Sequence, residues 1–215
     1  MLLQAALDRM SVEKAIDIVK KAKKSIDIIE VGTSLVLDRG MEAIRLMRKS
    51  FPEKKILADI KIMDGGRDFA EKVFLAGADI VTVMAVTNDT TIKDVILMAR
   101  QHSCEVMVDM MVVHDFATRV KQMDAFGADY ICVHTAHDVQ DKDNNPLSDL
   151  RTAKELELRA KIAVAGGLKP DTLAPVLSLK PDVLIAGQTI YADPNPAQAA
   201  INFKWAMEGG RVTAK

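Results

Sequence analysis

The chain has 215 residues, of which 49% are hydrophobic, so it is long enough to bury one core and a single globular domain is expected. Its 29 basic and 30 acidic residues leave a net charge of −1, which argues against binding to nucleic acid or to an anionic membrane. Small-molecule chemistry is therefore favoured. The first residues do not resemble a cleavable leader and no run approaches the roughly 20 apolar residues of a membrane span, so a cytoplasmic protein is expected.

Short β-rich runs alternate with helix-period stretches along the whole chain, which is typical of βα units around a parallel sheet. Eight such units predict one (β/α)8 TIM barrel domain over residues 1–215. A doubly wound open sheet is the alternative, but no GxGxxG motif follows the first strand. The predicted strands are 2–8, 26–31, 55–60, 79–84, 104–109, 129–134, 161–165 and 182–186. The predicted helices are 11–24, 38–50, 66–76, 89–101, 114–126, 147–158, 170–178 and 195–208.

Two segments are predicted to be irregular. The polar run at 138–145, closed by Pro146, suits a mobile loop after strand 6, although a plain surface loop explains it equally well. Residues 209–215 are predicted to form a flexible tail. Cys104 and Cys132 fall in predicted strands, where buried free thiols are expected.

Ionisable residues end five of the predicted strands, although strands of a parallel sheet are usually apolar throughout. In a barrel the C-terminal ends of all strands converge on one mouth, so we expect these side chains to lie together. The predicted set at this mouth is Asp8, Glu30, Asp59, Lys61, Asp64, Asp109 and His134.

The segment 57–64 concentrates three of these charges. Side chains two apart on a strand share a face, so Asp59 and Lys61 are predicted to point the same way. A simple salt bridge also explains this pair. Asp64 falls just past the strand, where an N-cap of the next helix is the alternative to a functional role.

Five carboxylates face one lysine at this mouth, so they would raise one another's pKa unless a cation compensates. Mg²⁺ suits such an all-oxygen site because it keeps water or substrate oxygens in its coordination shell. Glu30 and Asp59, on adjacent strands, are the predicted ligands.

Glycine turns follow the last two strands. Barrels commonly bind phosphate there through backbone N–H groups, so Gly166, Gly167, Gly187 and Gln188 are predicted to bind a phosphorylated substrate.

His134 closes strand 6 and is the preferred acid or base, with a structural histidine as the alternative. His137 begins the following loop, and a functional and a surface role explain it equally well. His102 and His114 lie at predicted helix ends, where surface or capping roles are expected.

The DxKxxD pattern of Asp59, Lys61 and Asp64 resembles the orotidine 5′-monophosphate decarboxylase suprafamily, and within it most closely the 3-hexulose-6-phosphate synthase family. The resemblance implies a homodimeric barrel with Mg²⁺ at Glu30 and Asp59, in which Asp64 reaches the neighbouring subunit's site. The stretches that carry the resemblance are 27–33, 57–65, 77–83, 108–109, 133–135 and 164–167.

The implied reaction is a reversible, Mg²⁺-dependent aldol condensation of D-ribulose 5-phosphate with formaldehyde, through an enediolate, to D-arabino-hex-3-ulose 6-phosphate. His134 would move the proton and Lys61 would steady the oxyanion. Asp8 and Asp109 would orient substrate hydroxyls.

The 3-keto-L-gulonate 6-phosphate decarboxylase family is the closest alternative. It typically has Glu where this chain has Asp109, Arg where it has His137 and Arg where it has Gln188, so all three positions favour the synthase. Gln188 also differs from the glycine expected in a synthase. A ribulose-phosphate 3-epimerase would need metal-binding histidines on early strands, which are absent, and a catalytically silent barrel would not need the charged set.

Overall fold

The computed structural model describes residues 1–139 and 146–210. Its eight strands are all parallel and close into a barrel in chain order, because the first strand pairs with both the second and the last. The predicted (β/α)8 architecture is confirmed. The strands are β1 (Leu2–Leu7), β2 (Ile28–Val31), β3 (Lys55–Ile62), β4 (Ile80–Met84), β5 (Glu105–Asp109), β6 (Tyr130–His134), β7 (Lys161–Ala165) and β8 (Val183–Ala186).

Helices surround the barrel and connect consecutive strands, and short 3₁₀ turns occupy His137–Val139 and Pro170–Thr172. The helices are α1 (Val12–Ala22), α2 (Thr33–Arg39), α3 (Glu42–Ser50), α4 (Gly66–Leu75), α5 (Asp89–Gln101), α6 (Phe116–Phe126), α7 (Leu147–Glu155), α8 (Ala174–Ser178), α9 (Gln188–Tyr191) and α10 (Pro196–Met207).

Three helix predictions differ from the structure in detail. The predicted helix 38–50 matches α3 but also includes the last two residues of α2, which starts at Thr33 and ends before Gly40, where φ is +58°. The predicted helix 170–178 is a 3₁₀ turn followed by the short α8. The four-residue α9 was missed because one turn is too short to show a helical period.

The core has two layers. One set of buried side chains packs between the strands and the helices, and a smaller set fills the barrel interior. Along four strands the inward positions begin apolar and end ionisable, since alternate residues of a strand share a face. These inward pairs are Ile28 and Glu30 on β2, Leu57 and Asp59 on β3, Met107 and Asp109 on β5, and Tyr130 and His134 on β6. The barrel therefore delivers its charged side chains to one end.

The remaining predictions are resolved in part. Cys132 and Cys104 are both free thiols, but Cys104 lies one residue before β5 and is only half-buried, so its predicted burial in a strand was wrong. Gly209 and Gly210 bond back to the last turn of α10, and the rest of the predicted tail lies outside the described residues, as do residues 140–145 of the predicted loop. No helix of the described ranges is long and apolar enough to cross a membrane.

Candidate active site

Three carboxylates lie almost fully buried at the C-terminal mouth of the barrel. Glu30, Asp59 and Asp109 are only 8%, 5% and 4% exposed. Burying a charged group costs free energy unless the group is paired and hydrogen-bonded, so each of these carboxylates is expected to have such partners.

Asp59 and Lys61 form the predicted contact. Lys61 Nζ forms an ion pair with Asp59 Oδ2. Both groups also contact the Thr33 hydroxyl, since its Oγ1 lies 3.0 Å from Asp59 Oδ2 and 3.3 Å from Lys61 Nζ. Burial is the largest single effect and lowers the pKa of Lys61, but the charge and hydrogen bond of Asp59, with the charges of Glu30 and Asp109, together raise it more, so its net shift is upward. Lys61 therefore remains an ammonium at neutral pH.

The backbone that places this pair is not a regular strand. Lys61 has a φ of +48°, and the register between β3 and β4 shifts between Ala58 and Ile62. Lys61 N donates to Thr82 Oγ1 at 2.9 Å, and this hydroxyl donates in turn to Asp59 Oδ1 at 2.8 Å. A bulge, rather than simple alternation, therefore brings the two charges together.

Glu30 lies beside Asp59 in the adjacent strand. Burial raises the pKa of Glu30, and the charge of Asp59 raises it further, to about 8. Gln4 Nε2 donates to Glu30 Oε2 at 2.7 Å, while Gln4 Oε1 is buried without a partner among the described residues. The mutual repulsion predicted for clustered carboxylates is thus present at Glu30.

Asp109 and His134 form a second pair. His134 Nδ1 lies 2.7 Å from Asp109 Oδ2, while Asp109 Oδ1 accepts from Met111 N at 2.9 Å. Burial lowers the pKa of His134, but the hydrogen bond and charge of Asp109 raise it more, so the net shift is upward. The contact places the imidazole proton on Nδ1 and makes Nε2 the basic nitrogen. Asp109 therefore contacts His134, and this contact could not be predicted from the positions of the two residues at their strand ends.

Asp8 lies just beyond β1, half-buried, where Ser34 Oγ lies 3.0 Å from Asp8 Oδ1. A Cβ at Gly32 would lie 2.3 Å from the same oxygen and 2.4 Å from Leu7 O. Only glycine at position 32 therefore leaves room for Asp8 to adopt this position.

The two glycine turns follow β7 and β8 at the same end of the barrel. Gly166 and Gly167 have φ values of +114° and +63°, and a Cβ at Gly166 would lie 2.8 Å from Thr135 O. Gly187 precedes α9, and the Gln188 side chain that follows is exposed. Gly166 and Gly187 are half-buried and Gly167 is exposed, and phosphate binding at these turns stays a prediction.

Asp64 stands apart from the buried cluster. It is exposed, and its Oδ1 accepts a hydrogen bond from the backbone N–H of Gly65 at 2.8 Å. The cap residue of α4 is Gly65, so the N-cap interpretation of Asp64 was wrong. His137 is likewise exposed, at the start of a 3₁₀ turn.

Glu30 and Asp59 fit Mg²⁺ as a site completed by substrate. Within residues 1–139 and 146–210, no group of three or more His, Cys, Asp or Glu side chains is arranged to hold an ion. Mg²⁺ is usually bound by only one or two carboxylates together with water and substrate oxygens, and Glu30 and Asp59 offer that donor set. A cation would also offset the repulsion that raises the pKa of Glu30.

The sequence and the fold match a known family. The model of the Orotidine 5′-phosphate decarboxylase / HUMPS family matches residues 1–203. The chain belongs to this family.

Relatives within the Orotidine 5′-phosphate decarboxylase / HUMPS family cover nearly the whole chain. The 3-hexulose-6-phosphate synthase of Bacillus subtilis (strain 168) is 42% identical over 202 residues, which is 94% of this chain and 96% of the relative. The crystal structure of 3-hexulose-6-phosphate synthase from Salmonella typhimurium matches with a TM-score of 0.94 at 39% identity, over 97% of this chain and 99% of that one. The crystal structure of KGPDC from Streptococcus mutans is 28% identical, with a TM-score of 0.85, over 97% of this chain and 99% of that one. The predicted resemblance and the prediction of a lyase-type enzyme are confirmed.

The DxKxxD pattern of the family identified Asp59 and Lys61 but not the side chains that hold them. Thr33 and Thr82 gave no sequence signal, because threonine is common in strands and at helix starts. Gln4 did carry a signal, since it is a polar residue within an otherwise apolar first strand. These three residues pair with Asp59, Lys61 and Glu30 inside the mouth.

Proposed function

We propose that this protein is a 3-hexulose-6-phosphate synthase, which condenses D-ribulose 5-phosphate with formaldehyde to D-arabino-hex-3-ulose 6-phosphate in a reversible, Mg²⁺-dependent reaction. The observation that carries the proposal is the combination of two pairs at one mouth. Asp59 with Lys61 offers an anion and a cation to substrate oxygens, and Asp109 with His134 offers an oriented base. The names of the relatives in Bacillus subtilis and Salmonella typhimurium support the same reaction.

Binding begins at the two ends of the substrate. The backbone turns at Gly166–Gly167 and Gly187–Gln188 would hold the phosphate through N–H groups. Asp8, kept in place by Ser34, would accept a hydrogen bond from a sugar hydroxyl. The substrate would then lie across the mouth with its C1 and C2 over the charged pairs.

Proton transfer is assigned to His134. Its Nε2 would take a proton from C1 of ribulose 5-phosphate, and the Asp109 carboxylate at Nδ1 would stabilise the imidazolium that forms. The Lys61 ammonium would stabilise the negative charge that develops on the C2 oxygen. The C1 carbon then attacks the formaldehyde carbon, and the formaldehyde oxygen receives the proton.

Glu30 and Asp59 would hold the Mg²⁺ ion. When bound, the ion supplies Lewis-acid stabilisation of negative charge on substrate oxygens. Gln4 donates a hydrogen bond to Glu30, and Thr82 donates one to Asp59.

A homodimer is part of the proposal, with Asp64 completing the neighbouring site. Asp64 is exposed, and among the described residues it shares no hydrogen bond or ion pair with the two pairs of its own chain. Large apolar side chains at the same end of the barrel are also exposed, by 50% at Met63, 47% at Phe69, 43% at Val86 and 69% at Val112. Such a surface suits burial against a second copy. The cytoplasmic location stays a prediction.

A two-substrate assay tests the reaction. Purified protein with Mg²⁺ is incubated with ribulose 5-phosphate and formaldehyde, and in parallel with 3-keto-L-gulonate 6-phosphate. We expect formaldehyde to be consumed in the first incubation, and we expect this activity to disappear after chelation by EDTA. Release of CO₂ from the second without formaldehyde consumption in the first would instead identify a decarboxylase. Full activity after thorough chelation would contradict the metal assignment.

A further inference from the structure

Thr82 lies on β4 beside the irregular part of β3. The two strands pair at Ala58 opposite Val81 and again at Ile62 opposite Val83. Four residue steps along β3 therefore match two steps along β4, and Lys61 adopts a left-handed φ of +48°. A bulge interrupts the hydrogen-bond ladder, so the N–H groups in it need other acceptors.

The Thr82 hydroxyl forms hydrogen bonds with both Asp59 and Lys61, the two charged residues of this bulge. It accepts from the backbone N–H of Lys61 at 2.9 Å, and it lies 2.8 Å from Asp59 Oδ1. A hydroxyl carries only one proton, and a carboxylate can only accept, so that proton is committed to Asp59. Thr82 is only 4% exposed, which leaves little access for water to replace the hydroxyl.

We propose that Thr82 is a positioning residue of the active site, because one hydroxyl fixes the Asp59 carboxylate relative to the backbone of Lys61. The metal-binding group and the oxyanion-stabilising group are thereby set in one geometry. What Asp59 and Lys61 contribute to the reaction rests on the proposed function. The effect of Thr82 on metal binding can be measured without the reaction.

Three variants separate positioning from general stability. Thr82→Val replaces the hydroxyl with a methyl group of similar size, and Thr82→Ser retains the hydroxyl. Thr91→Val is the matched control, since Thr91 is another buried threonine, 8% exposed, on the neighbouring α5. The readouts are kcat, the KM for ribulose 5-phosphate, and Mn²⁺ affinity measured from the electron paramagnetic resonance signal of free Mn²⁺.

Loss of a side chain that orients a metal ligand typically costs 10–100-fold in metal affinity or activity. We therefore expect Thr82→Val to lower kcat and Mn²⁺ affinity each by about 10-fold or more, with KM within about threefold of wild type. Thr82→Ser should stay within about threefold of wild type in both quantities, as should Thr91→Val.

Wild-type kcat and Mn²⁺ affinity in Thr82→Val would overturn the proposal, as would a Thr82→Ser variant as impaired as Thr82→Val. If the valine variant does not fold, Thr82→Ala removes the same hydroxyl without placing a second methyl group beside Asp59, and the same outcomes apply. A wild-type protein that binds Mn²⁺ but does not consume formaldehyde would refute the proposed function, while the Mn²⁺ affinities would still decide the role of Thr82.

Discussion

Asp109 determines which nitrogen of His134 can act as a base. Its carboxylate lies 2.7 Å from Nδ1 and, against the effect of burial, raises the pKa of the histidine above its usual value. In the proposed mechanism the base is the neutral imidazole, so activity should fall as the pH drops through this raised pKa. The charges of Lys61 and Glu30 also act on His134, which places all these groups at one mouth.

Replacing Asp109 with Asn should therefore change both the rate and the pH profile. The carboxylate that raises the pKa is lost, so the acidic limb of kcat/KM should move to lower pH. The imidazolium is also no longer stabilised, so kcat should fall by about 100-fold or more, within the range typical of acid–base catalysis. The measurement is kcat/KM between pH 5 and 9. An unmoved acidic limb would show that Asp109 does not set the protonation of His134.

At the scale of the elements, the strands were the most predictable part of the structure. Their apolar, β-branched runs locate all eight within two residues at each end, and the inward positions of Glu30, Asp59, Asp109 and His134 follow from strand alternation. The bulge at Lys61 could not be predicted, because it depends on Thr82 of the next strand rather than on any local pattern. The pairing of Asp109 with His134 likewise depends on two strands that are separate in sequence.

Gly32, between β2 and α2, shows how a connecting residue shapes the site. Its φ is −65°, so alanine would fit the backbone conformation, but a Cβ would lie 2.4 Å from Leu7 O and 2.3 Å from Asp8 Oδ1. Gly32→Ala should therefore destabilise the fold by about 1–3 kcal/mol and displace Asp8. We expect a raised KM for ribulose 5-phosphate together with a lower free energy of unfolding in urea.

Gly40→Ala provides the control for this substitution. Gly40 has a φ of +58° but nothing within 4 Å of an added Cβ, so alanine there strains the backbone without touching the site. It should cost about 1–3 kcal/mol and leave KM unchanged. Equal KM values for Gly32→Ala and wild type would contradict the role of Gly32 in placing Asp8.

At the scale of the whole molecule, the proposed dimer makes each site depend on two chains. Lys61 lies in the mouth of its own barrel, whereas Asp64 is exposed outside that cluster. Two inactive variants, Lys61→Ala and Asp64→Ala, should therefore complement each other when unfolded and refolded together. A mixed dimer would contain one site with both native residues and one site with neither.

Equal amounts of the two chains should recover about a quarter of wild-type activity, since half of the dimers are mixed and each mixed dimer has one intact site. The measurement is specific activity after refolding, with each variant refolded alone as the control. Recovery no greater than the sum of the separate variants would place Asp64 in the site of its own chain.

The most direct test of the proposed reaction is to observe the new carbon–carbon bond. The protein, Mg²⁺, ribulose 5-phosphate and ¹³C-formaldehyde are followed by ¹³C nuclear magnetic resonance. We predict that the formaldehyde signal is replaced by the hydroxymethyl carbon of D-arabino-hex-3-ulose 6-phosphate, and that neither EDTA-treated protein nor the Asp59→Asn variant forms it. A folded wild-type protein that leaves the labelled formaldehyde unchanged while Mg²⁺ and ribulose 5-phosphate are present would contradict the assignment of this protein as a synthase.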